Sequence, residues 1–81
     1  MGMLRIMSHR GDEKVTWDIK KAELGDPEAE AAVKEAGRIF NEERKKGATA
    51  FLVKDGKQTK KLDQFDQSAE QIVIVPRVVG G

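Results

Sequence analysis

One long amphipathic helix is the feature that most constrains this chain. Residues 25–28 (GDPE) form a strong start signal, since Asp26 can cap the free amide hydrogens and Pro27 tolerates the first helical position. Apolar residues then recur at helical spacing on one stripe: Ala29, Ala32, Val33, Ala36, Ile39 and Phe40. Lys46 and Gly47 suit a helix C-terminus. The pattern predicts a helix from about residue 27 to residue 46.

Alternating segments on both sides of this helix predict strands. Residues 4–8 and 15–19 alternate apolar and polar side chains, and the Gly-containing stretch between them predicts a β-hairpin. After the helix, residues 48–53 predict a third strand and residues 58–61 a short polar edge strand. Residues 71–75 are apolar nearly throughout, so we expect the last strand to be central in the sheet.

The length of 81 residues allows one domain. A single helix with one apolar stripe must bury that stripe on a single sheet, which predicts a two-layer α+β fold. We expect a mixed sheet of four to five strands in the order ββαββ(β), with the first strand parallel to the last. That is the β-grasp arrangement. We place the domain at residues 3–76 and a flexible tail at residues 77–81.

Composition and charge exclude several classes of protein. The 15 Lys and Arg against 14 Asp and Glu lack the basic excess of a nucleic-acid binder. The basic cluster of Lys57, Lys60 and Lys61 is typical of a solubilising strand edge, and Trp17 is expected on the core face. With no Cys and no long apolar run, we expect a cytoplasmic monomer that binds neither membrane nor nucleic acid.

Catalytic and metal-binding residue sets are missing from the sequence. His9 is the only histidine and sits beside a turn, without partners for a triad or a metal site. Asp63 and Asp66 lie on an irregular polar stretch, which turn chemistry explains better than acid–base catalysis. We therefore expect a protein that is not an enzyme and that binds no cofactor or metal of its own.

The last residues carry the strongest functional signal. Val78, Val79, Gly80 and Gly81 follow a proline that ends regular strand pairing. Two glycines without Cβ atoms can pass through a narrow channel and present a carboxylate, which adenylation by ATP would convert into a good electrophile. Arg77 gives a partner one charged group for positioning the tail. The alternative is that the two glycines are only a frayed end.

This combination of elements and tail resembles the ubiquitin-like β-grasp superfamily. The turn at residues 56–58 and the distance of Arg77 from the two glycines are similar to ubiquitin. The Val75–Pro76 step before the valines and glycines is more similar to the prokaryotic sulfur carriers. The last strand also resembles that of the ubiquitin-like domain of lambda-type phage tail-assembly proteins, where the chain continues past the glycine.

The resemblance implies a small carrier or modifier protein. Gly81 would be adenylated by a partner activating enzyme that uses ATP, with Gly80 as its flexible neighbour and Arg77, Val78 and Val79 recognised by that partner. Gly81 would end as a thiocarboxylate after reaction with a sulfur donor, or as an isopeptide on an acceptor protein. Val79 stands where ubiquitin has a basic residue, so ubiquitin-type activating enzymes are not the expected partners.

Strand alternation predicts a second functional surface. If Phe51 and Val53 face the helix, Leu52 faces outward, and in the last strand the two valines face outward. Leu52, Val73 and Val75 would then form an apolar docking patch beside the tail. Ordinary scattered surface apolarity is the alternative. A docking patch also fits a second hypothesis, in which the domain is an assembly module whose tail is never activated.

Overall fold

The computed structural model describes residues 1–7 and 11–76 of the chain. His9 and residues 77–81 lie outside these ranges. The bounds of the elements are β1 Gly2–Ile6, β2 Glu13–Trp17, α1 Ile19–Glu23, α2 Pro27–Lys45, β3 Thr49–Lys54, β4 Lys57–Leu62 and β5 Gln71–Val75. In the described part of the chain, neither helix combines the length and apolarity that a membrane span requires.

The five strands form one mixed sheet in the order β2-β1-β5-β3-β4. β1 and β5 are parallel neighbours, while the β1–β2, β3–β4 and β3–β5 pairs are antiparallel. The predicted parallel pairing of first and last strands and the central position of β5 are therefore confirmed. With α2 packed on one face of the sheet, the fold is a two-layer α+β domain, and the arrangement is compatible with the expected β-grasp.

α2 forms where the sequence predicts it. The carboxylate of Asp26 accepts a hydrogen bond from the backbone N–H of Ala29 at 3.0 Å, and Pro27 occupies the first turn. The helix ends at Lys45, and the backbone N–H of the following Lys46 donates hydrogen bonds to carbonyl groups of the last turn. Its buried residues, Ala29, Ala36 and Phe40, all belong to the predicted stripe.

Two boundaries near the N-terminus differ from the predicted ones. β2 ends at Trp17, and the predicted strand continuation at Ile19 is instead the first residue of α1. The carboxylate of Asp18 accepts a hydrogen bond from the backbone N–H of Lys21 at 3.0 Å, so a helix cap overrides the alternation there. β1 begins at Gly2, because that residue pairs directly with Trp17.

Trp17 joins the sheet to the loop that follows β4. Its side chain is only 2% exposed, and the indole N–H donates to the carbonyl of Gln67 at 2.9 Å. The ring of Phe65 lies 5.5 Å from that of Trp17 and 5.9 Å from that of Phe40, measured between centroids. Leu62 at the end of β4 is buried, and Phe65 in the following loop packs against the core.

The predicted orientation of Leu52 is wrong. Leu52 pairs with Ile72, which is fully buried on the helix side, and directly opposed residues of an antiparallel pair share a face. Leu52 accordingly packs against the core, while Phe51 pairs with the outward-facing Val73. The physical reason is space: Ala50 is fully buried on the helix side, where the sheet accommodates a small side chain rather than Phe51.

Replacing Gly2 with Ala is expected to destabilise the domain by about 1–3 kcal/mol. A Cβ at this position would lie 2.2 Å from Cε2 of the buried Trp17 ring, which is held by its hydrogen bond. Urea unfolding followed by the fluorescence of Trp17 measures the change. Gly37→Ala is the matched control: its Cβ would lie 3.5 Å from Phe65, so the helix should gain about 0.5–1 kcal/mol. Equal effects of both substitutions would contradict the close packing at Gly2.

Leu52→Ala and Val53→Ala test the orientation of β3. Because Leu52 packs against the core, its truncation should cost about 2 kcal/mol of unfolding free energy. Val53 lies on the opposite face, and its truncation should cost less than about 1 kcal/mol. The comparison uses the same urea titration for both variants. A larger loss of unfolding free energy for Val53→Ala than for Leu52→Ala would show that Leu52 faces outward, as expected from the sequence.

Candidate functional site

The tail residues Arg77, Val78, Val79, Gly80 and Gly81 lie outside the described residues. Their predicted roles in recognition and activation therefore stay predictions. The described chain reaches Pro76, directly after the end of β5 at Val75. Since β5 is the middle strand of the sheet, the tail is covalently attached to the most enclosed strand of the domain.

An apolar strip lies on the face of the sheet opposite α2. We name Phe51, Val53, Val73 and Val75 the outer strip. Val73 pairs directly with Phe51, and Val53 and Val75 are each two residues further along the same strands, so all four share one face. Three members are half-buried, and Val75 is 37% exposed.

The predicted docking patch is thus corrected in one of its three members. Val73 and Val75 belong to the outer strip, whereas Leu52 packs on the other side of the sheet. Sequence reasoning missed Phe51 and Val53 as outward residues. The residue that locates them is Ala50: it is fully buried on the helix side opposite Ile74, so alternation along β3 places Phe51 and Val53 on the outer face.

Cations border the outer strip on both sides. The strand register places Arg5 next to Val73, Lys14 next to Arg5 and Lys61 next to Phe51. In the described strands, every charged residue at an outward-facing register position is a cation. Nε of Arg5 donates to a carboxylate oxygen of Asp12 at 2.8 Å, which partly neutralises that charge. An apolar centre with a basic border favours a partner surface that is apolar in the middle and acidic at its edge.

The strip is also close to the tail along the chain. Val75 directly precedes Pro76, so a partner that contacts the outer strip is within a few residues of the segment 77–81. A single partner can therefore contact the strip and the tail together.

The opposite face of the domain carries a charged network on α2. Arg38 donates to the carboxylates of Glu35 and Glu42, the latter at 2.7 Å. The hydrogen bond from Arg38 lowers the pKa of Glu35, and the bonds to Glu35 and then Glu42 raise the pKa of Arg38 above its ordinary value. These are exposed helix pairs three and four residues apart, typical of surface helix stabilisation rather than of a catalytic site.

The described residues also leave depressions on the surface of the domain. Within residues 1–7 and 11–76, no group of three or more His, Cys, Asp or Glu side chains is placed to hold a metal ion. An open depression of about 610 Å³ is lined by residues 60–67, and a smaller one of about 200 Å³ lies beside Trp17 and α2. We therefore take the outer strip and its cations as the candidate site of the described residues.

Comparison of this chain with protein-family models, with curated proteins and with solved structures gave no match.

Proposed function

We propose that the protein is a ubiquitin-like carrier or modifier whose Gly81 is activated through adenylation by a partner enzyme. The support is the joint occurrence of two features. One is the sheet order β2-β1-β5-β3-β4 with β1 parallel to the central β5 and α2 on one face, which is compatible with the expected β-grasp arrangement. The other is the sequence after β5, where Pro76 and Arg77 precede two valines and two glycines.

The chemistry required of the tail is simple. The carboxylate of Gly81 would attack the α-phosphorus of ATP in the partner's active site, forming an acyl-adenylate and releasing pyrophosphate. A sulfide, a thiol or a lysine amine then attacks the carbonyl carbon and AMP leaves. This chain supplies only an unhindered terminal carboxylate, which the absence of Cβ atoms at Gly80 and Gly81 permits, and a surface for docking.

Two end products are compatible with the chain. The Pro76-containing tail favours transfer of sulfur, with Gly81 as a thiocarboxylate. Conjugation to proteins is also chemically open, because every lysine of the chain is exposed and can act as an acceptor in chain formation. The two products leave different marks on Gly81, and mass spectrometry distinguishes them.

The first experiment reads the C-terminus of the protein recovered from its native host under non-reducing, acid-quenched conditions. A sulfur carrier should show Gly81 with one oxygen replaced by sulfur. A modifier should leave a branched peptide on acceptor lysines, and because trypsin cleaves after Arg77, the remnant would be Val78 to Gly81. An unmodified Gly81 across growth conditions, or a chain that continues past Gly81 in the host, would contradict the proposal.

A variant lacking Gly80 and Gly81 is the matched control for activation. It should lose the modified species completely and should keep the urea midpoint of the parent protein, measured by the fluorescence of Trp17. A large loss of stability in this variant would mean that the glycines serve the fold rather than the chemistry.

The outer strip supports a second candidate, an assembly module that docks through its sheet and never activates its tail. The observation that favours it is the half-exposed apolar strip itself, which no described element covers. In this case the biological activity would depend on the strip alone. Removal of the glycines would leave that activity intact.

Val75→Asp separates the two candidates when it is compared with the variant lacking the glycines. A carboxylate in the outer strip should reduce partner binding about tenfold or more, since it leaves a charge unpaired in an apolar contact. Growth of the host with each variant gives the readout. A carrier requires both the outer strip and the two glycines, whereas an assembly module requires only the outer strip. Leu24→Asp is the control, because Leu24 is 86% exposed and lies outside the strip. Full activity of Val75→Asp would remove the strip from both candidates.

A further inference from the structure

We propose that the free edge of β4 binds an extended acidic segment of a partner protein as an additional strand. This interaction goes beyond the function proposed above and does not depend on it. β4 is six residues long and is the last strand of the sheet, so within the described residues it pairs with β3 alone. Its other side presents backbone N–H and C=O groups that a peptide strand can bind.

The charge on this edge defines the chemistry of the partner. Lys57, Lys60 and Lys61 are exposed, and Lys54 lies opposite Lys57 across the hairpin. None of these four lysines forms an ion pair in the described part of the chain. Asp63, which follows β4, contacts Arg44 at 3.4 Å. The edge is therefore a row of unneutralised cations, which attracts a segment rich in carboxylates.

The backbone of the edge is held in place by its hairpin. Asp55 and Gly56 have φ angles of 53° and 76°, and Lys54 pairs with Lys57, which gives a two-residue turn with both central residues at positive φ. A register shift follows at Thr59, whose hydroxyl donates to the carbonyl of Leu52 at 3.2 Å. A partner strand thus meets an edge that is already ordered, which lowers the entropy that binding must offset.

The pairing of β4 with β3 beyond the register shift at Thr59 specifies where the acidic residues of the partner strand should lie. Lys60 and Lys61 pair with Leu52 and Phe51, so their side chains point to opposite faces of the sheet. An added strand needs acidic residues at two consecutive positions to meet both lysines. Beside this end of β4, the open depression of about 610 Å³ lined by residues 60–67 leaves room for the rest of the segment.

Two other occupants fit the edge less well. A second copy of β4 would bring lysines opposite lysines, and like charges directly opposed destabilise a strand pair. A single-stranded nucleic acid would find the charge but no stacking partner, since β4 contains no aromatic residue. The same lysines that prevent pairing between copies leave the backbone groups accessible to an anionic strand.

Fluorescence anisotropy with a synthetic peptide tests the proposal on the full chain. The probe is a fluorescein-labelled peptide in which Val and Thr residues surround a Glu-Glu pair. Binding should weaken as salt is raised, and NMR of the protein should show slowed amide exchange confined to β4.

The variant with Lys57→Glu, Lys60→Glu and Lys61→Glu should bind the peptide about tenfold more weakly or worse. The control with Lys20→Glu, Lys21→Glu and Lys34→Glu changes charge equally on the helices and should bind much more tightly than the β4 variant.

A second peptide separates strand addition from charge attraction. It has the same sequence with alternate backbone amides N-methylated, so it keeps the carboxylates and loses the ability to form a ladder. We expect it to bind about tenfold more weakly than the parent peptide. Four results would each overturn the proposal. The first two are equal binding of both peptides and an equal loss of peptide affinity in the helix control variant. The other two are slowed amide exchange outside β4 and tighter binding of a single-stranded oligothymidine to the same lysines.

Discussion

The structure depends on burying one side of α2 against a single sheet. Phe40 and Ala36 are fully buried in one core cluster with Leu4, Ile72 and Ile74, and α2 is the one of the two described helices that contributes buried residues. A chain of this size has little apolar surface to spare, so each of these residues carries a large part of the stability. The requirement also determines the shape: one face of the sheet is committed to the helix, so the described surfaces that we propose for recognition lie on the other face and at the edge of the sheet.

The elements that the sequence predicts correctly are those with strong local signals. The adjacent residues Asp26 and Pro27 define the start of α2. The uninterrupted apolar run of β5 indicates a strand that has neighbouring strands on both sides. The turn at Asp55 and Gly56 likewise depends on adjacent residues alone. From these local elements the layer arrangement follows, because a single apolar helix stripe has only one sheet to cover.

The features that the sequence did not predict depend on contacts between distant residues. The face on which Leu52 lies is decided by its pairing with Ile72 and by the space beneath the helix, and alternation within β3 fits either face equally well. The strand position of Gly2 follows from the Trp17 ring that covers it, a contact across the hairpin. In the candidate site, therefore, Val73 and Val75 were accessible from the pattern of one strand, whereas Phe51 and Val53 required the register between two.

The distribution of charge bears on both surfaces that we propose for binding. The outer strip is an apolar face bordered by Arg5 and Lys61, and like charges on two copies oppose face-to-face contact. The same reasoning applies to the β4 edge. In both proposals, specificity for acidic partners would come from the residues whose like charges oppose contact between copies of the domain. The strip faces away from α2 and β4 lies at the sheet margin, yet Lys61 belongs to both surfaces, since it is part of β4 and pairs with Phe51. Partners at the two proposed surfaces would therefore compete for this one lysine.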